Sequence, residues 1–277
     1  MTIAEQHAAA RQNAFWPAFA ALPGGAMAMG ISPIFVRMSE VGPFESAFYR
    51  VFIALPVLYG WMRMEEARAG THDSGPGFST PMIATGIFLA ADLLICHLAI
   101  AQTTVANATS FATTAPEHLV GDGFAETTAV FFGAYFLCVE KARLIYRAAL
   151  STFCMSIVAS LVLAVAALWA RAWLGQPFLA LGPVGWLTLL ALAWISLVGG
   201  QGLLTVALGP LPVTFSSLVI FLKALAAAAL AWLILGEAVT LAQALGGRVI
   251  VAGIWKERPR ERKRPAVFLV SGRACIN

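Results

Sequence analysis

The chain has 277 residues, of which 60% are hydrophobic and only 12% are charged. Soluble domains average about 25% charged residues, so a mean hydropathy of +0.80 excludes an ordinary water-soluble fold. The formal net charge of +4 equals that of one segment, residues 256–264, which holds six basic and two acidic side chains. Such a cluster after a final apolar helix is typical of a cytoplasmic anchor near anionic lipid. A nucleic-acid site is a weaker interpretation, because no soluble domain accompanies the cluster.

Apolar stretches of membrane-spanning length follow one another along the chain. A spanning helix needs about 20 mostly apolar residues. About eight segments meet this requirement: 14–36, 44–62, 81–101, 123–140, 148–170, 183–207, 212–235 and 239–255. The longest polar interval between them is 64–79. The pattern predicts an all-α, polytopic transmembrane helix bundle, in which short connections make neighbouring helices antiparallel.

Basic residues near the predicted helix ends indicate the orientation. If both termini are inside, most of them fall on the cytoplasmic side, as the positive-inside rule requires. These are Arg63, Arg68, Lys141, Arg143, Arg147 and the basic tail. Arg37 and Arg171 fall on the other side. We therefore expect a multi-pass inner-membrane protein with residues 1–13 and 256–277 in the cytoplasm.

The stretch from Val105 to His118 is polar for a membrane span and ends in Pro116-Glu117-His118. A full crossing here would place the basic tail outside. A segment that enters partway and returns would keep the tail inside, and non-helical backbone is tolerated at that depth where protein or water covers it. Whether the 105–120 segment spans or re-enters stays open.

Four segments, taken in their order, carry a family resemblance: 42–56 (GPFESAFYRVFIALP), 86–116, 121–143 and 228–254, the last with its Leu-Gly-Glu helix end. They resemble the drug/metabolite transporter superfamily, EamA type. The resemblance implies ten helices in two inverted five-helix repeats, a central cavity between the halves, and amino acids, other metabolites or drugs as substrates. Windows 99–111 and 207–219 also resemble each other, as internally repeated transporters lead one to expect.

The chain departs from that pattern after Pro116, where most of the fourth helix and the whole fifth helix are missing. We therefore predict a truncated first repeat at 14–120 and a second repeat at 121–255, with about eight full spans and a partial one. Two functions follow. The first is a secondary transporter that exports small metabolites by alternating access. The alternative is a truncated, non-transporting family remnant or membrane scaffold.

Polar residues inside the spans are the candidate substrate-binding or translocation residues. A charge at the centre of a span costs about 2.5–3.5 kcal/mol and is commonly functional. Each candidate also has a structural interpretation, such as an ion pair, a bond to the backbone or close helix packing; for Lys223 the partner would be Asp92 or Glu126. The candidates are Arg50, Asp92, His97, Asn107, Thr109, Lys223 and Trp232.

Other functions are disfavoured by missing patterns. The chain has no GxxxxGK[ST] motif for ATP, and Asp92, His97 and Glu126 are too scattered for a membrane-embedded enzyme. The cysteines show no metal-binding or disulfide spacing. We expect no cofactor or metal and no nucleic-acid partner, but a small-molecule substrate and the lipid bilayer. The sequence leaves proton coupling and a homodimer open.

Overall fold

The computed structural model describes residues 17–18, 20–70, 78–102, 119–208, 222–236, 245–248 and 252, and its regular elements there are all helical. The helices are α1 (20–30), α2 (Ser32–Met38), α3 (Pro43–Phe52), α4 (Leu55–Ala69), α5 (Thr80–Gln102), α6 (Leu119–Arg143), α7 (Ala148–Leu174), α8 (Pro183–Ala191), α9 (Gly202–Ala207) and α10 (Leu222–Leu230). A π-helical stretch, Leu192–Gln201, joins α8 to α9, and we call it the π segment. A second one, Ala231–Leu235, extends α10. The predicted all-α bundle is confirmed.

Three of the described helices are long and apolar enough to cross a membrane by length and composition: Thr80–Ala101, Ala148–Leu174 and Pro183–Ala207. Leu222–Ile234 is a shorter apolar helix. The outer surface matches such an environment, since α7 exposes Leu161, Val165 and Leu168 by 65%, 70% and 57%. Apolar surface of this kind is stable against lipid and unstable against water.

Two of the predicted spans are broken helices. The first bends at Ile31, just before Pro33, and the second at Ile53 and Ala54, just before Pro56. Proline has no backbone N–H and its ring clashes with the carbonyl four residues earlier, so a helix is interrupted just before it. A membrane protein tolerates such breaks where other protein covers the freed backbone groups.

The predicted loop at 64–79 begins too early. Helix α4 continues to Ala69 because Glu65, Glu66, Ala67 and Arg68 are good helix formers. It ends at Gly70, which has a φ of +64°. The 105–118 segment lies outside the described residues, so its interpretation stays a prediction. The same holds for the number of spans and for the division at 120 into a truncated and a complete repeat.

Close packing between helices depends on glycines at their contacts. A Cβ on Gly86 of α5 would lie 2.8 Å from the carbonyl oxygen of Met155 on α7. A Cβ on Gly25 of α1 would lie 2.9 Å from the carbonyl oxygen of Gly200 in the π segment. Small residues allow helix backbones to approach in this way. The result is a shared core to which α1, α3–α7, the π segment and α9 contribute.

Candidate functional site

Arg50 lies in the middle of the bundle with only 4% of its surface exposed. Its Nη1 donates to the hydroxyl of Ser32 at 2.9 Å, and its Nη2 donates to the hydroxyl of Ser196 at 2.7 Å. Its Nε has no hydrogen-bond partner. Two neutral hydroxyls bring no counter-charge to a buried guanidinium, and they use only two of its five N–H donors.

Three irregular helix positions meet at this guanidinium. Ser32 follows the break at Ile31, Arg50 precedes the break at Ile53, and Ser196 lies in the π segment. Proline explains the two breaks, and Gly199 and Gly200 accompany the π-helical stretch. Broken helices and π-helical turns are frequent at functional sites, because they free backbone groups and redirect side chains.

Asp92 is the buried carboxylate of this region, with 3% of its surface exposed. It lies on α5, and its Oδ1 has no hydrogen-bond partner. In the part of the chain that the structure describes, the cationic groups that act on it electrostatically are Lys223 and Arg50. The structure therefore places three of the predicted site residues in one electrostatic group.

His97 is on the same helix and fully buried, but it takes part in a different contact. Its Nδ1 lies 2.8 Å from the hydroxyl of Ser46 on α3, and its Nε2 has no partner. Residues five apart on a regular helix point well away from each other, so Asp92 and His97 serve different neighbours. Ser46 also borders a cleft of about 260 Å³ lined by the end of α2, the start of α3 and the end of α5.

The second half of the chain contributes a buried tyrosine and glutamine. The hydroxyl of Tyr135 on α6 donates to Oε1 of Gln201 at 3.2 Å. Both side chains are fully buried, and Nε2 of Gln201 has no partner. Because a π-helix bonds residues five apart, Gln201 and Ser196 lie one turn apart on the π segment. Tyr135 and Arg50 therefore both bind this segment, from α6 and α3.

Lys223 approaches the same region from α10. Its Nζ lies 5.1 Å from the ring centroid of Phe132, a cation–π contact. Phe132 in turn stacks on Tyr135 with centroids 5.9 Å apart. Asp92, one predicted partner of Lys223, is within electrostatic reach, whereas Glu126, the other, is exposed.

Trp232, another predicted site residue, is not brought to this region. It is 61% exposed on the π-helical end of α10. Asn107 and Thr109 lie outside the described residues, and their roles stay predictions.

Four residues of the site were missed in the sequence: Ser32, Tyr135, Ser196 and Gln201. The available signals were a serine immediately before Pro33 and polar residues at both ends of the Gly199-Gly200 pair. Serine is common in membrane helices, where it often only promotes packing. Its partners depend on how distant helices align, which the local pattern does not reveal.

The fold and the buried polar cluster define a class of protein: a helical membrane protein with a charged centre built by both halves of the chain. The family follows from comparison. Residues 119–255 match the model of the EamA-like transporter family. The EamA-type resemblance of the sequence is thus confirmed, and with it a membrane transporter of the drug/metabolite type.

Solved structures agree on the fold. Five chains match, and one is the crystal structure of a protein that aligns with a TM-score of 0.62 at 15% identity. The alignment covers 91% of this chain and 99% of the other. At this identity the likeness shows the fold alone. No curated protein matches the chain.

Proposed function

We propose that the protein exports small metabolites such as amino acids or drugs across the inner membrane by alternating access, with both termini in the cytoplasm. The observation that carries the proposal is Arg50, a buried cation whose two hydrogen bonds join Ser32 of the first half to Ser196 of the second. Transporters commonly bind their substrate where two halves meet at interrupted helices near the membrane centre. A merely structural core would favour apolar side chains at that depth.

One end of the bundle carries a contact between the halves through Glu40. Its Oε2 accepts hydrogen bonds from the backbone N–H groups of Leu181 at 2.9 Å and Gly182 at 2.8 Å, just before α8 begins. Gly185 leaves room for the carboxylate, since a Cβ there would lie 2.6 Å from Glu40 Oε2. A carboxylate at a helix N-terminus satisfies free N–H groups and complements the helix dipole.

The opposite end carries a matching contact through Glu65. Its Oε2 accepts a hydrogen bond from the N–H of Ala149 at 2.9 Å, in the first turn of α7. Nearby, Arg143 donates from Nε to the carbonyl of Thr205 at 2.9 Å, in the last turn of α9. Residues 43 to 65 span about 33 Å at 1.5 Å per residue, which is close to the thickness of a bilayer's hydrocarbon core.

Two carboxylate contacts at opposite faces, with Arg50 between them, suit alternating access. Each joins the first half to a helix N-terminus of the second through one or two hydrogen bonds. Such contacts are weak enough to open one at a time, since a net hydrogen bond to a charged group contributes about 1.5–3 kcal/mol. We call the Glu40 contact the outer latch and the Glu65 contact the inner latch. Arg63, Arg68 and Arg143 lie at the inner-latch end, which supports a cytoplasmic location for it.

The test is transport by the purified protein in proteoliposomes. Vesicles are loaded with labelled phenylalanine, phenyllactate or ethidium, and release is followed over time. We expect saturable release of at least one compound, and a loss of about tenfold or more for Arg50→Gln, because removing a charged hydrogen-bonding group from a buried site costs more than 1.4 kcal/mol.

The matched control is Arg63→Gln. Arg63 is an arginine of the same first half, but its side chain is exposed and pairs with Glu66 at 2.9 Å. Exposed pairs contribute little, so this variant should release substrate at the wild-type rate. Release that is unaffected by Arg50→Gln would contradict the role of Arg50 in transport. Release that is absent in a monodisperse wild-type preparation would favour the non-transporting remnant or scaffold.

A further inference from the structure

The described centre of the bundle holds more positive than negative charge. Arg50 and Lys223 contribute two cations, and Asp92 is the carboxylate within reach of both. The hydrogen-bond partners of Arg50 are hydroxyls, which carry no charge. Glu45, another buried carboxylate, has Arg171 as the charged group that acts on it, and neither of its oxygens has a hydrogen-bond partner. Two cations and one anion leave a formal charge of +1, which a low-dielectric interior strongly disfavours without a counter-charge.

Two nitrogen donors of this region, one from each half of the chain, have no hydrogen-bond partner. Nε of Arg50 and Nε2 of Gln201 are buried and have no partner. The ammonium of Lys223 faces the ring of Phe132. A carboxylate offers about four lone-pair positions on two oxygens and no donor, so it is the complement of such a set.

A series of described contacts connects these donors. Lys223 contacts Phe132, Phe132 stacks on Tyr135, and Tyr135 bonds to Gln201. Gln201 lies one π-helical turn from Ser196, which binds Arg50. The donors therefore belong to one connected set of contacts among α3, α6, α10 and the π segment. Asp92 adds one unpartnered acceptor to it from α5.

We propose that the substrate is a small monoanion with a carboxylate, bound by Arg50, Lys223 and Gln201, and with a hydroxyl that donates to Asp92. The inference rests on the proposed transport function and narrows its substrate class. A monoanion brings the formal charge of the centre to zero. A zwitterionic amino acid would leave the excess of one positive charge, and a cation would add to it.

A matched series of compounds tests which substrate charge the site prefers. Phenyllactate, phenyllactamide, phenylalanine and phenylalaninamide share one skeleton and are anionic, neutral, zwitterionic and cationic. Lactate, lactamide, alanine and alaninamide repeat the series at a smaller size. Binding is measured as the rise in melting temperature in detergent, and transport as release from proteoliposomes. We expect the hydroxy acid of at least one series to bind and move about tenfold better than its amide, the effect of one charge-assisted hydrogen bond.

Variants at Lys223 test whether this residue is responsible for the preference for an anionic substrate. Lys223→Gln should reduce the ratio of hydroxy acid to amide about tenfold, whereas Lys223→Arg keeps the charge and should keep the ratio. The exposed Arg63→Gln is the control and should change neither rate. The compound series on the wild-type protein tests the inference even if a variant fails to fold.

The outcomes separate the two proposals. Hydroxy acids that stabilise the protein but are not released would overturn the transport function and leave the anion site standing. Release of the zwitterion, the cation or the neutral amide at a rate equal to that of the hydroxy acid would overturn the anion site and leave transport standing. A ratio unchanged in a folded Lys223→Gln protein would also overturn the site. No stabilisation and no release by any compound would overturn both.

Discussion

Neutral hydroxyl groups, rather than carboxylates, hold the guanidinium of Arg50. Ser196 is fully buried and accepts a hydrogen bond from it. Ser156 on α7 is equally buried, but its hydroxyl has no partner. The two serines differ mainly in this hydrogen bond, so they form a matched pair for measuring it.

We expect Ser196→Ala to lower the free energy of unfolding by about 1.5–3 kcal/mol, because it leaves a buried charged donor without its acceptor. Ser156→Ala should be neutral or slightly stabilising, since it removes an unpaired polar group. Both values are measured by unfolding in mixed detergent micelles. Equal effects of the two substitutions would show that the Arg50 contact does not stabilise the fold.

At the scale of single residues, the sequence identifies the charged side chains inside the apolar stretches but not the groups that they contact. Arg50, Asp92 and Lys223 stand out as charged residues inside apolar stretches, and the structure brings them into one region. Ser196 and Gln201 do not stand out, because their role depends on the alignment of the π segment with α3 and α6. That alignment is set by packing over the whole bundle and leaves no local pattern.

At the scale of elements, two neighbouring glycines of α1 have different surroundings. A Cβ on Gly25 would lie 2.9 Å from the backbone oxygen of Gly200 and 3.3 Å from the backbone nitrogen of Leu204. A Cβ on Gly24 would meet only the end of the Leu203 side chain, at 3.7 Å. The first contact is with backbone that cannot move aside, whereas the second is an ordinary van der Waals distance.

Gly25→Ala should therefore destabilise the protein by about 1–3 kcal/mol through overpacking. Gly24→Ala should stabilise it by up to about 1 kcal/mol, because alanine favours a helix over glycine. Melting temperatures in detergent give the sign of each change. If Gly25→Ala were as stable as Gly24→Ala, the close approach of α1 to the π segment would be wrong.

Hydropathy located the helices well but not their irregularities. The predicted span 183–207 matches Pro183–Ala207, and 148–170 falls four residues short of the end of α7. The breaks at Ile31 and Ile53 precede prolines and could have been read from the sequence. The π segment could not, since apolar composition is the same in α- and π-helices and the extra residue per turn is stabilised only by contacts with neighbouring helices.

At the scale of the whole molecule, the account requires the two halves to move relative to each other. The outer latch joins Glu40 to the N-terminus of α8, and the inner latch joins Glu65 to the N-terminus of α7. The proposed alternating access requires the outer latch to open in every transport cycle. A covalent link at that position should therefore stop transport without disturbing the centre.

The most direct measurement is release from proteoliposomes before and after a short bis-methanethiosulfonate cross-linker joins Glu40→Cys to Leu181→Cys through reducible disulfides. The protein used has its four native cysteines replaced by serine. Each single cysteine variant, treated in the same way, is the control. The account predicts that the linked protein loses release and that a reductant restores it. Release that continues unchanged in fully linked protein would contradict alternating access between these halves.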